Sequence, residues 1–237
     1  MKLHIENDIF KAFPGIRIVA AHASNIQTKD ASGIDTFLLE AWQHAGGEGV
    51  KFENPQSHPN IKPWGESMKQ LGVSRKNFPS SIEALVRRAA KTPEPVRINP
   101  IVDFYNALSL AHIVPAGGYD VDSLENDLLL RFSKAGDTFE SLDSDETLSL
   151  PEGEVCYADG AAVITRHFVW KQSKHALITE KSANIVFVAE VLAELPSATA
   201  EIVLDALSSG FKKYFTGDIR CAILRADEPE LRLDGRS

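Results

Sequence analysis

Asn184-Ile185-Val186-Phe187-Val188-Ala189-Glu190-Val191-Leu192 is a nearly continuous apolar run. Its length and its content of β-branched and aromatic residues predict a strand. Just downstream, Ile202, Val203, Ala206, Leu207, Phe211 and Tyr214 recur at helical spacing, which predicts an amphipathic helix from about Thr199 to Tyr214. Ile219–Leu224 reads as a closing strand, and the charged tail from Asp227 reads as frayed. Upstream, short apolar or alternating runs predict strands at Leu128–Ser133, Thr138–Ser141, Glu146–Leu150, Glu154–Ala158 and Ala161–Trp170. Pro115-Ala116-Gly117-Gly118 reads as the turn before them.

The first half is helical after one early strand. That strand is read over Pro14 to Ala23, carried by Ile16, Ile18, Val19 and Ala20, with Pro14-Gly15 as the turn before it. Ile34, Phe37, Leu38, Ala41 and Trp42 predict a helix from Ile34 to Gln43, ended by Gly46-Gly47. Lys51 to Pro63 is polar and proline-punctuated, so it reads as a long loop before a short helix at Trp64–Leu71. Ser80-Ser81-Ile82-Glu83 has the form of a capping box, with Ile82, Leu85, Val86 and Ala89 as the apolar face behind it. Asn99-Pro100 starts another helix, to about Ala111, with Asn99 as cap and Pro100 where its missing N–H costs nothing. Strands cluster late and helices flank them. The expected class is α+β with a β-rich core, and the chain reads as one domain, 1–237, with no repeat or linker.

The 237 residues are 43% hydrophobic and 24% charged, which excludes disordered and collagen-like classes. The net charge of −8 argues against a protein that coats nucleic acid or anionic membrane nonspecifically. Two cysteines, Cys156 and Cys221, exclude a disulfide framework and suit a reducing compartment, with Cys156 reading as a small buried hydrophobe. No apolar run reaches the length of a membrane span, so the expectation is a cytoplasmic chain without a membrane partner. Walker loop, G-x-G-x-x-G, G-x-S-x-G and H-E-x-x-H are all absent, and Cys156, His167 and His175 match no zinc spacing. No metal and no cofactor is expected.

Two clusters carry chemistry. Asn99, Asp103 and Asn106 recur at spacings of four and three, beside a helix N-terminus that offers free N–H groups to an oxyanion. The plainer reading makes Asn99 a cap and Asp103 a partner of the helix dipole. Arg166, His167, Trp170, Lys171, Gln172, Ser173, Lys174 and His175 pack cations, two imidazoles, an amide, a hydroxyl and an aromatic ring into ten positions. That set suits phosphate contacts, base stacking and proton acceptance; its plainer reading is a solvated strand end.

Asn99-Pro100-Ile101-Val102-Asp103, preceded by Glu83-Ala84-Leu85-Val86-Arg87-Arg88, resembles the editing domain (third/fourth module) in the beta subunit of bacterial phenylalanyl-tRNA synthetase. There a helix begins Asn-Pro-Val-Val-Asp and continues into Thr-Asn. The family's Pro-x-His-x-Phe-Asp is matched by Pro115-Ala116-Gly117-Gly118-Tyr119-Asp120. The likeness continues at Gly136-Asp137-Thr138-Phe139, Leu142-Asp143, Leu150-Pro151-Glu152-Gly153-Glu154, Ala158-Asp159 and Ile178-Thr179-Glu180, and so covers about Ser81 to Phe187. The resemblance implies a three-layer β/β/α sandwich, a tRNA acceptor end as partner, and hydrolysis of misacylated aminoacyl-tRNA in trans. It implies Asn106 as a catalytic candidate; beside it, His167 and His175 of the second cluster, with His112, are the imidazoles available to orient water. The substrate-binding set would be Asn99, Asp103, Tyr105, Gly117, Gly118, Arg166, Trp170, Lys171, Gln172, Ser173 and Lys174. A noncatalytic module for an aminoacyl-tRNA end or a free amino acid is the alternative, as is a hydrolase of another small ester or amide. Three departures stand out: Gly117 replaces the family's histidine, Tyr105 its threonine, and Val169–Leu177 lacks the family's substrate-recognising glutamate.

Overall fold

The computed structural model describes residues 1–144 and 146–234. In chain order its elements are β1 (Lys2–Ile5), α1 (Asn7–Ala12), β2 (Arg17–Thr28), α2 (Ala31–Lys51), α3 (Lys62–Gln70), α4 (Ser81–Ala89) and α5 (Pro100–His112). Then follow β3 (Ala116–Asp120), β4 (Leu128–Phe132), β5 (Thr138–Glu140), β6 (Thr147–Ser149), β7 (Val155–Asp159), β8 (Ala162–Arg166) and β9 (Lys171–Gln172). The chain closes with β10 (Ile185–Val191), α6 (Thr199–Tyr214), β11 (Phe215–Leu224) and β12 (Glu230–Arg232). The fold is mixed α+β.

The strands form two sheets. One has the order β12-β1-β4-β7-β8-β5-β6, with β9 added beside β8; the other has the order β11-β2-β10-β3 and is antiparallel throughout. β10 is buried along its whole length because both faces are covered. On one face Phe187 meets Phe104 of α5, ring to ring at 6.2 Å. On the other, Tyr119 of β3 lies 5.4 Å from Tyr157 of β7, and its hydroxyl pairs with Thr165 of β8 at 2.8 Å. The second sheet is therefore the middle layer, between the first sheet and the helices. Alternation decides this: odd-numbered residues of β10 face the helices and even-numbered ones face the other sheet. Burying a ring such as Phe187 contributes about 1.5–3 kcal/mol.

Capping chemistry sets the helices that bound the site. Asn99 accepts from the Val102 amide at 3.0 Å, so α5 starts where its sequence says. Ser80 accepts from the Glu83 amide at 3.3 Å, but the Glu83 carboxylate is engaged elsewhere, by Arg75 at 2.8 Å, by Gln56 at 2.9 Å and by Arg87. The capping box is thus realised in its forward half, and Glu83 ties the 52–79 excursion to α4.

Five expectations need correction. α2 does not stop at Gly46-Gly47 but runs to Lys51. A Cβ at Gly46 would come within 2.8 Å of the Ala89 carbonyl, so that glycine serves close approach to α4 and not termination. Pro115–Gly118 is no turn: Ala116–Asp120 is an edge strand paired along β10. The strand expected to reach Trp170 ends at Arg166, because His167 and Phe168 both adopt the left-handed region, φ 44° and 61°. The tail is not frayed at Glu230–Arg232, which pairs with β1 and leaves Leu233 buried; residues 235–237 lie outside the described residues. The loop expected over 51–63 holds a turn of 3-10 helix at Pro55–Ser57, and β1 and α1, four and six residues long, are too short to carry a readable period.

Candidate functional site

The open edge of the middle sheet borders a cavity of about 280 Å³. Edge strand β3 forms one side, α4 and α5 the second, and the segment after β8 the third. Regular strand geometry explains what β3 presents. The Gly118 carbonyl accepts from the Gln172 side chain at 3.3 Å, and the Asp120 amide bonds Ala176 at 3.0 Å, both away from β10. The Gly118 N–H shares that outward edge, so it is a donor aimed at the cleft. A Cβ at Gly117 would meet nothing within 4 Å, so its missing side chain is cavity space.

α5 contributes two neighbours. Tyr105 is buried against the cavity, and Asn106 is half-buried beside it. Among the described residues neither side chain has a hydrogen-bond partner, which leaves an amide and a hydroxyl for a ligand. Burial pushes the Tyr105 hydroxyl's pKa well up, so it is a neutral donor and acceptor. Across the cleft Trp170, Lys171 and Gln172 form the opposite wall, with the Lys171 ammonium ion-paired to Asp143 and lying 5.9 Å from the Trp170 ring centre.

Between the two sheets lies a residue that the sequence hid. Glu190 of β10 is 3% exposed, lines the cavity, and accepts a hydrogen bond from the Tyr157 hydroxyl at 2.8 Å. Burial pushes its carboxyl up to about 8. Its one sequence signal was a lone charge in an otherwise apolar strand, which gives no indication of what lies opposite. Tyr119, Thr165 and Phe168 line the same space and were likewise not singled out.

Of the residues singled out from sequence, Tyr105, Asn106, Gly117, Gly118, Trp170, Lys171 and Gln172 come together at the cavity. The others do not. Asn99 is buried in its cap, with its amide nitrogen donating to the Ile178 carbonyl at 3.3 Å. Asp103 accepts from the Ile98 amide at 3.0 Å, and burial raises its pKa against that bond. Arg166 grips Glu154 through two bonds, at 2.9 and 2.7 Å. His167 turns into a separate small cavity beside Phe78, whose ring centre lies 3.9 Å away. Among the described residues its two buried ring nitrogens have no hydrogen-bond partner, Nδ1 is 3.6 Å from Glu154, and burial lowers its pKa, so it stays neutral. Ser173 accepts from the His175 amide, and His175 pairs its Nε2 with Asp159 at 2.8 Å; both border a different, smaller cleft. Lys174 donates its backbone amide to Glu140 at 3.0 Å and lies off the cavity. No histidine lines the cavity among the described residues.

Among the described residues no group of three or more His, Cys, Asp or Glu side chains is placed to hold a metal ion. Among the described residues no helix is long and apolar enough to cross a membrane.

Residues 64–211, more than half of the chain, match the family model of the B3/4 domain. Among solved structures, the chain is similar to the crystallised N-terminal fragment of the phenylalanyl-tRNA synthetase beta-subunit from Pyrococcus horikoshii, at 8% identity and a TM-score of 0.44. That similarity covers 92% of this chain and 50% of the fragment, so the chain spans half of that protein's crystallised length. No curated protein matches the chain.

Proposed function

The chain belongs to the B3/4 domain family, and from that premise we propose that it binds the acceptor end of aminoacyl-tRNA and hydrolyses misacylated ester there, in trans. The observation that carries the reading is the cavity itself, where the Tyr105 and Asn106 side chains and the Gly118 N–H converge without a protein partner among the described residues. At about 280 Å³ it lies just below the usual ligand-pocket range of about 300–1,000 Å³. That volume suits one aminoacyl group, with the terminal ribose at the mouth.

An aminoacyl ester is already reactive, so its hydrolysis needs a held substrate, a placed water and donors for the developing oxyanion. Asn106 and the Gly118 N–H supply the donors. Tyr105 reaches the same space and holds either the water or the carbonyl. Trp170 offers a stacking face to the terminal base, and Lys171 exchanges Asp143 for a backbone phosphate. With no imidazole on the cavity wall among the described residues, the substrate's own ribose hydroxyl shares in orienting the water. A net charge of −8 confines recognition to this local patch and makes it salt-sensitive.

The absence of histidine from the described lining equally favours a second reading, a module that holds the aminoacyl end without cleaving it. Purified protein incubated with a panel of misacylated tRNAs separates the two. Release of amino acid above the spontaneous rate supports the hydrolase. Saturable binding without turnover supports the module, and neither binding nor turnover removes both.

A further inference from the structure

The cavity lining includes a buried carboxyl, Glu190, for which the reading above has no use. Glu190 projects from β10 between the sheets, where Tyr157 of β7 donates to its Oε1 at 2.8 Å. Tyr119 of β3, Tyr105 of α5, Phe168 and Trp170 line the same space. Tyr157 and Tyr119 are its titratable neighbours, and among the described residues no cation is ion-paired or hydrogen-bonded to Glu190. The cation on the lining, Lys171, is turned to Asp143 at the mouth. A carboxyl buried without a counter-ion is held neutral, and ionises once a cation arrives to share the low dielectric. Aromatic rings lining a cavity with a single carboxyl supply the chemistry that recognises an ammonium group, since ring quadrupoles and the anion act on a cation in the same sense.

We infer that Glu190 is a specificity-determining residue that receives an ammonium group of the ligand on the cavity floor. The inference rests on the reading of the cavity as an aminoacyl site. An aminoacyl group offers two sources of that chemistry, its α-amine and a side-chain amine. Ammonium binding is coupled to a proton: the Glu190 O–H bond breaks, the proton leaves to solvent, and the carboxylate pairs with the ammonium, which keeps its own protons. The raised pKa of Glu190 agrees with this, because a carboxyl neutral at pH 7 has a proton to release.

Four probes test it: 3′-amino-3′-deoxyadenosine acylated on its 3′-amine with hexanoate, norleucine, 6-aminohexanoate or lysine. They carry no amine, the α-amine, the distal amine, and both. Each is titrated calorimetrically into the whole chain at pH 7, in two buffers of different protonation enthalpy. At least one amine-bearing probe is expected to bind about tenfold more tightly than the hexanoyl probe, with release of about one proton. Whichever single-amine probe gains identifies the source. Glu190→Gln keeps an acceptor for Tyr157 and is expected to abolish both the preference and the proton release. The wild-type proton count stands on its own should that variant fail to fold. Equal affinity for all four probes, or a preference that survives in Glu190→Gln or comes without proton release, overturns the role of Glu190 and leaves the cavity reading intact. Binding of none of the four overturns both.

Discussion

The cavity has two unlike walls, and they came from the sequence in opposite ways. The β3–β10 wall is regular sheet, where side chains alternate and the register Gly117↔Val188 and Tyr119↔Val186 fixes what shares a face. The wall from Arg166 to Gln172 is a strand broken by two left-handed residues. Adjacency in sequence then ceases to mean adjacency in space. Phe168 drops into the core, His167 into a side cavity, Arg166 onto Glu154, and Trp170 to Gln172 come forward to the cleft. A regular strand distributes its residues by period, whereas a broken one sorts them by what each can bury.

The break itself is the first place to test this contrast. Phe168 is fully buried against Phe13 at 5.2 Å and Trp64 at 5.4 Å. Phe168→Ala should cost about 3–5 kcal/mol in denaturant unfolding, the ordinary loss for a deleted core ring. We propose that 1–237 is one cooperative unit, so the variant should still unfold in one transition. A loss below about 1 kcal/mol would mean that the ring does not anchor the turn.

The helical side comes next. Asn106→Ala should weaken probe or tRNA binding by about 1–3 kcal/mol, the usual cost of removing a partner from a polar ligand. Its melting temperature should hold, because no protein group bonds the Asn106 side chain among the described residues. Unchanged binding per folded molecule would take Asn106 out of the site.

The regular wall should show itself in the pH dependence of stability. Glu190 ionises at about 8 in the fold against an ordinary 4.5, so between those values the folded chain holds more protons than the unfolded one. Stability contributed by this group is complete below pH 4.5 and declines as pH rises towards 8, by at most about 1.4 kcal/mol per pH unit. Glu190→Gln should flatten that part of the profile. An identical slope in wild type and variant would assign it to other groups.

The smallest effect divides the broken wall. Lys171 lines the cavity and Lys174 lies off it. Lys171→Ala should lower the salt slope of tRNA binding by about 0.7–0.9, one counterion's share, while Lys174→Ala leaves it unchanged. Equal effects would make 166–175 one continuous basic face after all.

Much of the secondary structure was legible because its causes are local. Asn99-Pro100 and Ser80 cap their helices by bonds to amides three residues on, and α6 runs from Thr199 to Tyr214 on spacing alone. β1 and β12 were not legible: each is short, and they pair with each other across the length of the chain, which no window of sequence contains. Gly46 misled for the same reason, since its meaning lies in the Ala89 carbonyl beside it.

Sequence by itself determined the α+β class, the caps that aim α4 and α5, the family motifs, and the placing of Asn106 on the capped helix. Only the tertiary structure decided which polar residues share a cavity. Hydrogen bonding and helical period act over three or four residues, and strand period over two. Tyr157 meets Glu190 because two sheets stack face to face. That meeting depends on the packing of layers, and only at that level does a lone glutamate in an apolar strand become the floor of a site.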